Sequence, residues 1–192
     1  MGVYLVSVTA QDWSQDGEDG YGEVAAALNT ELERRGLPPY ELPQTTQEAP
    51  GWFEEKVSPP MDGFVALCRA QLTDAELSTL LDWSVLIPLA LEEQIVLPLG
   101  TAYSGDETVV AGAPQVLALA ERLAGSVELP VDAMPAGENL AVSLWFLEGG
   151  AERTVPARPG PWAEDLDAAF YVALYLRAAQ YSLRHGCPMT YS

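Results

Sequence analysis

The sequence predicts an α+β fold in which one sheet of four or five mostly antiparallel strands packs against helices. Three observations favour this class. Stretches rich in β-branched residues lie between amphipathic stretches, and signals for hairpins outnumber signals for parallel crossovers. Apolar residues make up 48% of the 192 residues, which is enough for one continuous core. A single domain over residues 1–192 is therefore expected.

The N-terminal part is expected to contain a core strand and an amphipathic helix. Residues 3–9 are β-rich and predict the strand. An acidic, glycine-containing loop follows, and then a helix is expected over residues 23–35, because its apolar residues recur on one face and Gly36 follows its last turn. The next stretch, residues 37–50, is rich in proline and is expected to be an irregular connector.

The middle of the chain is expected to combine short helices with a hairpin. Thr73 and Glu76 have the spacing of a capping box, which predicts a helix to about residue 82. Residues 84–89 and 94–99 are β-rich and close in sequence, so we expect them to pair as a hairpin. Their prolines favour edge positions or bulges, because proline donates no ladder hydrogen bond. The other expectations here are a helical turn at residues 52–56, a helix at 63–71 and a loop at 100–112.

The C-terminal part is expected to end in a long helix. Pro114 suits the first turn of a helix over residues 114–124. Strands at 140–147 and 153–157 are expected to flank a tight glycine turn. The last helix is predicted over residues 161–185, and its stretch 168–176 contains no charged residue. Such a helix must be covered on all sides, which favours a central helix on the sheet over the alternative, a homodimer seam through residues 161–185.

Charge is the most informative property of the composition. The chain has 28 acidic and 9 basic residues, a formal net charge of −19, and only one lysine (Lys56) and one histidine (His185). This charge disfavours binding to nucleic acid or to an anionic membrane and favours a basic partner. Residues 1–112 carry −15 of the total. No apolar run approaches the roughly 18 residues that a membrane span needs.

The sequence offers little material for catalysis. His185 and Cys187 are the only His and Cys close together, and the pattern is more typical of a helix end, where cations and Gly186 stabilise the terminus. No metal site and no cofactor is predicted, and an enzyme is disfavoured. Two cysteines are too few for a disulfide framework, and the N-terminus has no basic segment before its apolar run, so a cytoplasmic location is expected.

The best candidate for a binding site is the acidic loop after the first strand. Its spacing does not fit a calcium-binding EF-hand loop. Trp13 is expected to be exposed beside the acids as a hot spot for a protein partner. The predicted partner-binding residues are Asp12, Trp13, Asp16, Glu18 and Asp19. The resulting hypothesis is an acidic binding protein, in its most specific form an immunity- or antitoxin-type inhibitor that covers a basic active site.

The alternative hypothesis is a small enzyme or ligand-binding domain. Its pocket would lie near the start of the long helix, where Asp165 and Asp167 could act as acid and base. The same acids also suit the helix dipole. Arg177 follows the uncharged stretch, so a carboxylate partner or an anionic ligand is expected for it. A loop with Tyr103, Asp106 and Glu107 could form the rim of a ligand site.

Overall fold

The computed structural model describes residues 2–17, 20–42, 52–101, 104–136 and 139–192. In these ranges eight α-helices and a six-stranded mixed sheet form an α+β fold. The strands are β1 Val3–Ser7, β2 Glu54–Val57, β3 Val85–Ile87, β4 Ile95–Leu97, β5 Thr108–Gly112 and β6 Met189–Tyr191. The helices are α1 Ala10–Ser14, α2 Gly22–Arg34, α3 Asp62–Gln71, α4 Asp74–Leu81, α5 Ala113–Ser126, α6 Ala141–Leu147, α7 Gly150–Thr154 and α8 Leu166–His185, with a 3₁₀ turn at Pro161–Ala163 before α8.

The sheet has more strands than expected and a different pairing. Its order is β2-β1-β6-β3-β5-β4, with four antiparallel pairs and one parallel pair, β3 with β5. The predicted hairpin between β3 and β4 is wrong, because β5 lies between them. Residues 100–112 were expected to be a loop, but residues 108–112 form the interior strand β5. Both prolines were expected at edge strands or bulges. Pro98 follows the edge strand β4, whereas Pro88 follows the interior strand β3. Val110 and Ala111 of β5 are buried, as is usual for a strand with neighbours on both sides.

Three local predictions are also wrong. Residues 52–56 were expected as a helical turn, but residues 54–56 belong to β2, in which only Glu55 is buried. Residues 140–147 and 153–157 were expected as strands, but the chain forms α6 and α7 there. In α6, Val142 and Phe146 are buried while Leu144 and Leu147 are exposed, so the apolar run has helical periodicity. A short apolar run is compatible with a strand or a helix, and the surface that it packs against decides which of the two forms.

Several predicted elements are confirmed. β1 lies within residues 3–9, and α2, α3 and α5 lie where the sequence places helices. The capping box forms, because the Thr73 hydroxyl accepts from the Glu76 amide while the Glu76 carboxylate accepts from the Thr73 amide. Gly186, at φ +65°, ends α8 in the left-handed conformation that glycine adopts without strain.

The sheet lies between two layers of helices. Side chains of the central strands alternate between them: Val85 and Ile87 contact the layer of α1 and α2, and Leu86 contacts the opposite layer. In the opposite layer, α8 packs against α3, α5 and α6. The outer layer is defined as residues 10–17 and 20–42, which include α1, α2 and Tyr40.

All nine residues of the uncharged stretch 168–176 in α8 are buried. They are covered by elements of the same chain, because α5, α3, α6 and the 3₁₀ turn pack around this helix. This stretch is therefore not an exposed seam for a second subunit.

The edge strand β2 is covered by residues 139–143. The amides of Asn139 and Leu140 donate to the carbonyls of Trp52 and Glu54, at 3.2 Å and 2.6 Å. The Lys56 amide donates to the Ser143 hydroxyl at 2.9 Å. Edge strands expose unpaired backbone groups that recruit other chains, and these hydrogen bonds satisfy several of them.

Candidate functional site

The candidate binding site starts at α1, directly after β1. Thr9 caps this helix, since its hydroxyl accepts from the Asp12 amide at 3.1 Å and donates to the Asp12 carboxylate at 2.6 Å. Asp12 is thus part of a helix start and not of a loop. Asp16 is exposed beyond the end of α1, and Glu18 and Asp19 lie outside the described residues.

Trp13 is buried, which corrects the expectation of an exposed hot-spot residue. Only 4% of the residue is accessible. Its ring stacks on Tyr21 with centroids 6.3 Å apart and meets Tyr40 edge-on at 5.6 Å. The side chain belongs to the same buried cluster as Val24 and Leu28 of α2. Only the packing of α1 on α2 brings these residues together. Trp13 therefore belongs to the core between α1 and α2.

The cations of the outer layer are concentrated at the end of α2. Arg34 and Arg35 both pair with Glu31, at 2.6 Å and 2.8 Å. Hydrogen bonds from these two guanidinium groups lower the pKa of Glu31 to about 2. The remaining exposed acids of the layer make no ion pair within the described ranges, namely Asp16, Glu23, Glu33 and Glu41. These four carboxylates therefore add negative surface charge to the layer without being paired to a cation in the described ranges.

A groove of about 550 Å³ opens in this layer between α1, α2 and the segment that follows α2. Trp13 and Tyr40 contribute its aromatic lining, Asn29 an amide and Glu41 a carboxylate. Sequence reasoning missed Tyr40, which follows Pro38 and Pro39 in the stretch expected to be an irregular connector. No cationic side chain lies among the groove's lining residues in the described part of the chain.

The residues of the alternative enzyme site do not assemble. Asp165 caps α8 by accepting from the Ala168 amide at 2.9 Å, and Asp167 is exposed in the first turn. Arg177 lies ten residues after Asp167, about 15 Å along the helix at 1.5 Å per residue. Groups separated in this way cannot act together on one bond. The placement of the two acids matches the helix-dipole interpretation.

Arg177 is partly buried, and its contacts are not those that were expected. One terminal nitrogen donates to Gln180 Oε1 at 2.9 Å, and the other donates to the carbonyl oxygens of Val131 and Met134. Its Nε is buried without a hydrogen-bond partner, and no ion pair of the described residues includes this side chain. Burial, together with Arg184, lowers the pKa of the guanidinium. The contacts fix the segment 131–134 against α8.

The expected ligand rim is only partly described. Tyr103 lies outside the described residues, and Asp106 and Glu107 are exposed at the turn before β5. The Ser104 and Thr108 hydroxyls are 3.2 Å apart within this loop, and the Thr108 hydroxyl donates to the Leu99 carbonyl. These contacts hold the connection between β4 and β5.

The two cysteines are buried and should react slowly. Burial raises the pKa of Cys68 to about 11 and that of Cys187 to about 12. Because the thiolate is the reactive form, we expect a disulfide reagent at pH 8 to modify both at least about 100-fold more slowly than in urea. If Cys187 were modified as fast in the native state as in the unfolded chain, its buried position would be contradicted, and the hypothesis of a Cys–His site would have to be considered again.

No group of three or more His, Cys, Asp or Glu side chains suited to a metal ion occurs among the residues described. In the same ranges, no helix has both the length and the apolar character to cross a membrane. Comparison with protein-family models, curated proteins and solved structures gives no match for this chain.

Proposed function

We propose that this protein binds a positively charged protein through its outer layer, residues 10–17 and 20–42. The supporting observation is that both arginines of this layer are paired with Glu31, while its other exposed acids make no ion pair in the described ranges. Unpaired surface carboxylates attract a basic partner and speed its association.

The most specific form of this proposal is an immunity- or antitoxin-type inhibitor. A nuclease-like toxin has a basic active site, because it binds a phosphate backbone. An acidic protein covering that site would replace the nucleic acid and block the enzyme. In this form the captured partner would be an enzyme whose activity falls when the chain is added.

The experiment compares two charge-reversal variants that change the net charge equally. Glu23→Lys with Glu33→Lys alters the outer layer, and Glu148→Lys with Glu164→Lys alters exposed positions of the opposite layer. Wild type and both variants are immobilised, and basic proteins are captured from cell extract at about 50 mM salt, where exposed charges are weakly screened.

We expect the wild type and the opposite-layer variant to capture the same basic protein, and the outer-layer variant to lose it. Binding should weaken strongly at about 500 mM salt because the charges are then screened. Equal loss in both variants, or binding that is indifferent to salt, would overturn the proposal. The affinity of the identified partner is then measured by calorimetry with the same three proteins.

A further inference from the structure

The two edges of the sheet differ in how their backbone is covered. Residues 139–143 form hydrogen bonds with β2 at one edge, whereas β4 lies at the other edge and pairs only with β5. In the described ranges, no hydrogen bond joins Ile95–Leu97 to an element other than β5. The outward side of these three residues, called the β4 edge, therefore presents the backbone that an added strand requires.

The register shows which backbone groups face outward at the β4 edge. Val96 lies opposite Val109 of β5. The Val109 amide donates to the Ser84 hydroxyl at 3.0 Å, and its carbonyl accepts from the Ser84 amide at 2.9 Å, so both groups face the β3 side. Opposite residues of an antiparallel pair alternate between hydrogen-bonded and non-hydrogen-bonded pairs. Val96 and Val109 are therefore a non-hydrogen-bonded pair, and the N–H and C=O of Val96 point away from the sheet.

The β4 edge also offers an apolar side chain at the same position. Val96 is 56% exposed, whereas Ile95 and Leu97 are buried in the same cluster as the apolar residues of α2. A residue added opposite Val96 would place its side chain beside that of Val96, on the same face of the sheet. Pairs of β-branched residues across strands stabilise a sheet, so a β-branched residue fits best at this position.

The free part of the β4 edge is short. Before β4, the Arg35 guanidinium donates to the Gln94 carbonyl at 3.4 Å and to the Glu93 carbonyl at 3.2 Å. After β4, Pro98 has no N–H to donate. An added strand would therefore form its central contact as two hydrogen bonds with Val96.

Charge at both ends of β4 favours a basic strand over a second copy of this chain. Glu92 and Glu93 are exposed just before β4, and Asp106 and Glu107 are exposed at the turn that leads into β5. Pairing two copies about Val96 would place these acids near those of the other copy and join two chains of net charge −19, which repel one another. Basic residues on both sides of the central residue would instead be attracted.

We propose that the β4 edge receives an extended, basic segment of another protein. A β-branched residue of this segment exchanges two hydrogen bonds with Val96, and lysines or arginines on either side of it lie near the acids. The β4 edge is outside the outer layer, so this inference goes beyond the proposed function and is tested separately.

The test uses the variant Val96→Pro, which removes the outward N–H and leaves the ladder to β5 and the net charge unchanged. Val96→Thr is the matched control, because it keeps the amide and a β-branched side chain. The probe is a blocked, fluorescently labelled heptapeptide in which lysine alternates with valine, beginning and ending with lysine. A second probe of equal charge carries N-methyl groups on its valine amides. Affinities are measured by fluorescence anisotropy at about 50 mM salt, where exposed charges are weakly screened.

We expect the wild type and Val96→Thr to bind the unmethylated peptide with similar affinity. Val96→Pro should bind it roughly fivefold more weakly, the effect of losing one net hydrogen bond. The wild type should bind the N-methylated peptide more weakly by a similar factor, and this comparison does not depend on the folding of any variant. Thermal melts verify that both variants are folded.

Equal affinities of Val96→Pro and Val96→Thr for the unmethylated peptide, or equal binding of the two peptides by the wild type, would overturn the strand addition. Equal but salt-dependent binding of the two peptides would still support the proposed function, because it would show attraction by charge alone. Sedimentation tests the other occupant. Self-association of the wild type that Val96→Pro abolishes would show that β4 pairs with a second copy, and this too would overturn the proposal.

Discussion

Replacing Glu55 with alanine is expected to lower the free energy of unfolding by about 3 kcal/mol or more, because buried donors lose their acceptor. Glu55 is fully buried. Its carboxylate accepts from the amides of Val142 and Ser143, at 2.9 Å and 2.8 Å, and from the Ser143 hydroxyl at 2.7 Å. It thus caps α6 and joins that helix to the edge strand β2. The loss is measured by urea denaturation.

Glu54→Ala is the matched control, because Glu54 precedes Glu55 in β2 and is only half-buried. We expect this variant to change the free energy of unfolding by about 0.5 kcal/mol or less, as is usual away from buried networks. Equal losses in the two variants would show that Glu55 does not hold α6. Light scattering adds a second readout, since release of residues 139–143 would expose the β2 edge and promote association.

The same carboxyl should give a distinctive pH dependence. Burial raises the pKa of Glu55, an effect that outweighs the opposing hydrogen bonds from Ser143 and Val142. A raised pKa means that the folded state binds the proton more tightly than the unfolded state. The stabilisation is complete below the ordinary value of 4.5 and is lost as the pH rises through the raised pKa. The stability of wild type relative to Glu55→Gln should therefore fall as the pH rises above about 4.5, and a constant or rising difference would contradict this.

Replacing Phe64 with alanine is expected to cost about 3–5 kcal/mol of unfolding free energy, the usual range for a buried phenylalanine. Phe64 is fully buried in α3 and stacks on two rings of α8, Tyr171 at 5.4 Å and Tyr175 at 5.6 Å. Its removal leaves a cavity between α3 and α8 that the rigid rings cannot fill. Thermal and urea unfolding measure the loss.

Two controls separate this cavity from a general loss of apolar surface. Phe64→Leu keeps part of the volume and should cost clearly less than Phe64→Ala. Leu144→Ala removes a side chain that is 44% exposed on α6, so about 0.5 kcal/mol is expected. A loss below about 1 kcal/mol for Phe64→Ala would show that α3 does not depend on this aromatic stack.

The elements predicted correctly carry their signals locally. In α2 the apolar residues recur at helical spacing, and in α4 the Thr73–Glu76 box satisfies the first amides within one turn. α8 ends at Gly186 because only a residue that tolerates positive φ continues the chain there. Such signals involve residues within about four positions, so the sequence alone displays them.

The site was predicted less well, because its contacts join distant residues. Tyr40 donates to Gly186, and Glu55 accepts from Ser143, across long stretches of chain. Phe53 and Glu55 are both buried and lie two residues apart, which is the spacing of one face of a strand. The sequence did not reveal this strand, because a glutamate is rarely buried. Trp13 was misplaced for a similar reason: the acids near it in sequence suggested an exposed position, whereas its ring contacts Tyr21 and Tyr40, which lie 8 and 27 residues later in the chain.

By itself the sequence determined the α+β class, the positions of the locally encoded helices, the scarcity of catalytic groups and the large negative charge. Only the tertiary structure decided that β5 separates β3 from β4, that 141–147 is a helix, and that the cations of the outer layer are paired while its early acids are not. The reason is physical. Periodicity and charge are properties of neighbouring residues, whereas strand order and ion pairing depend on which distant surfaces bury one another.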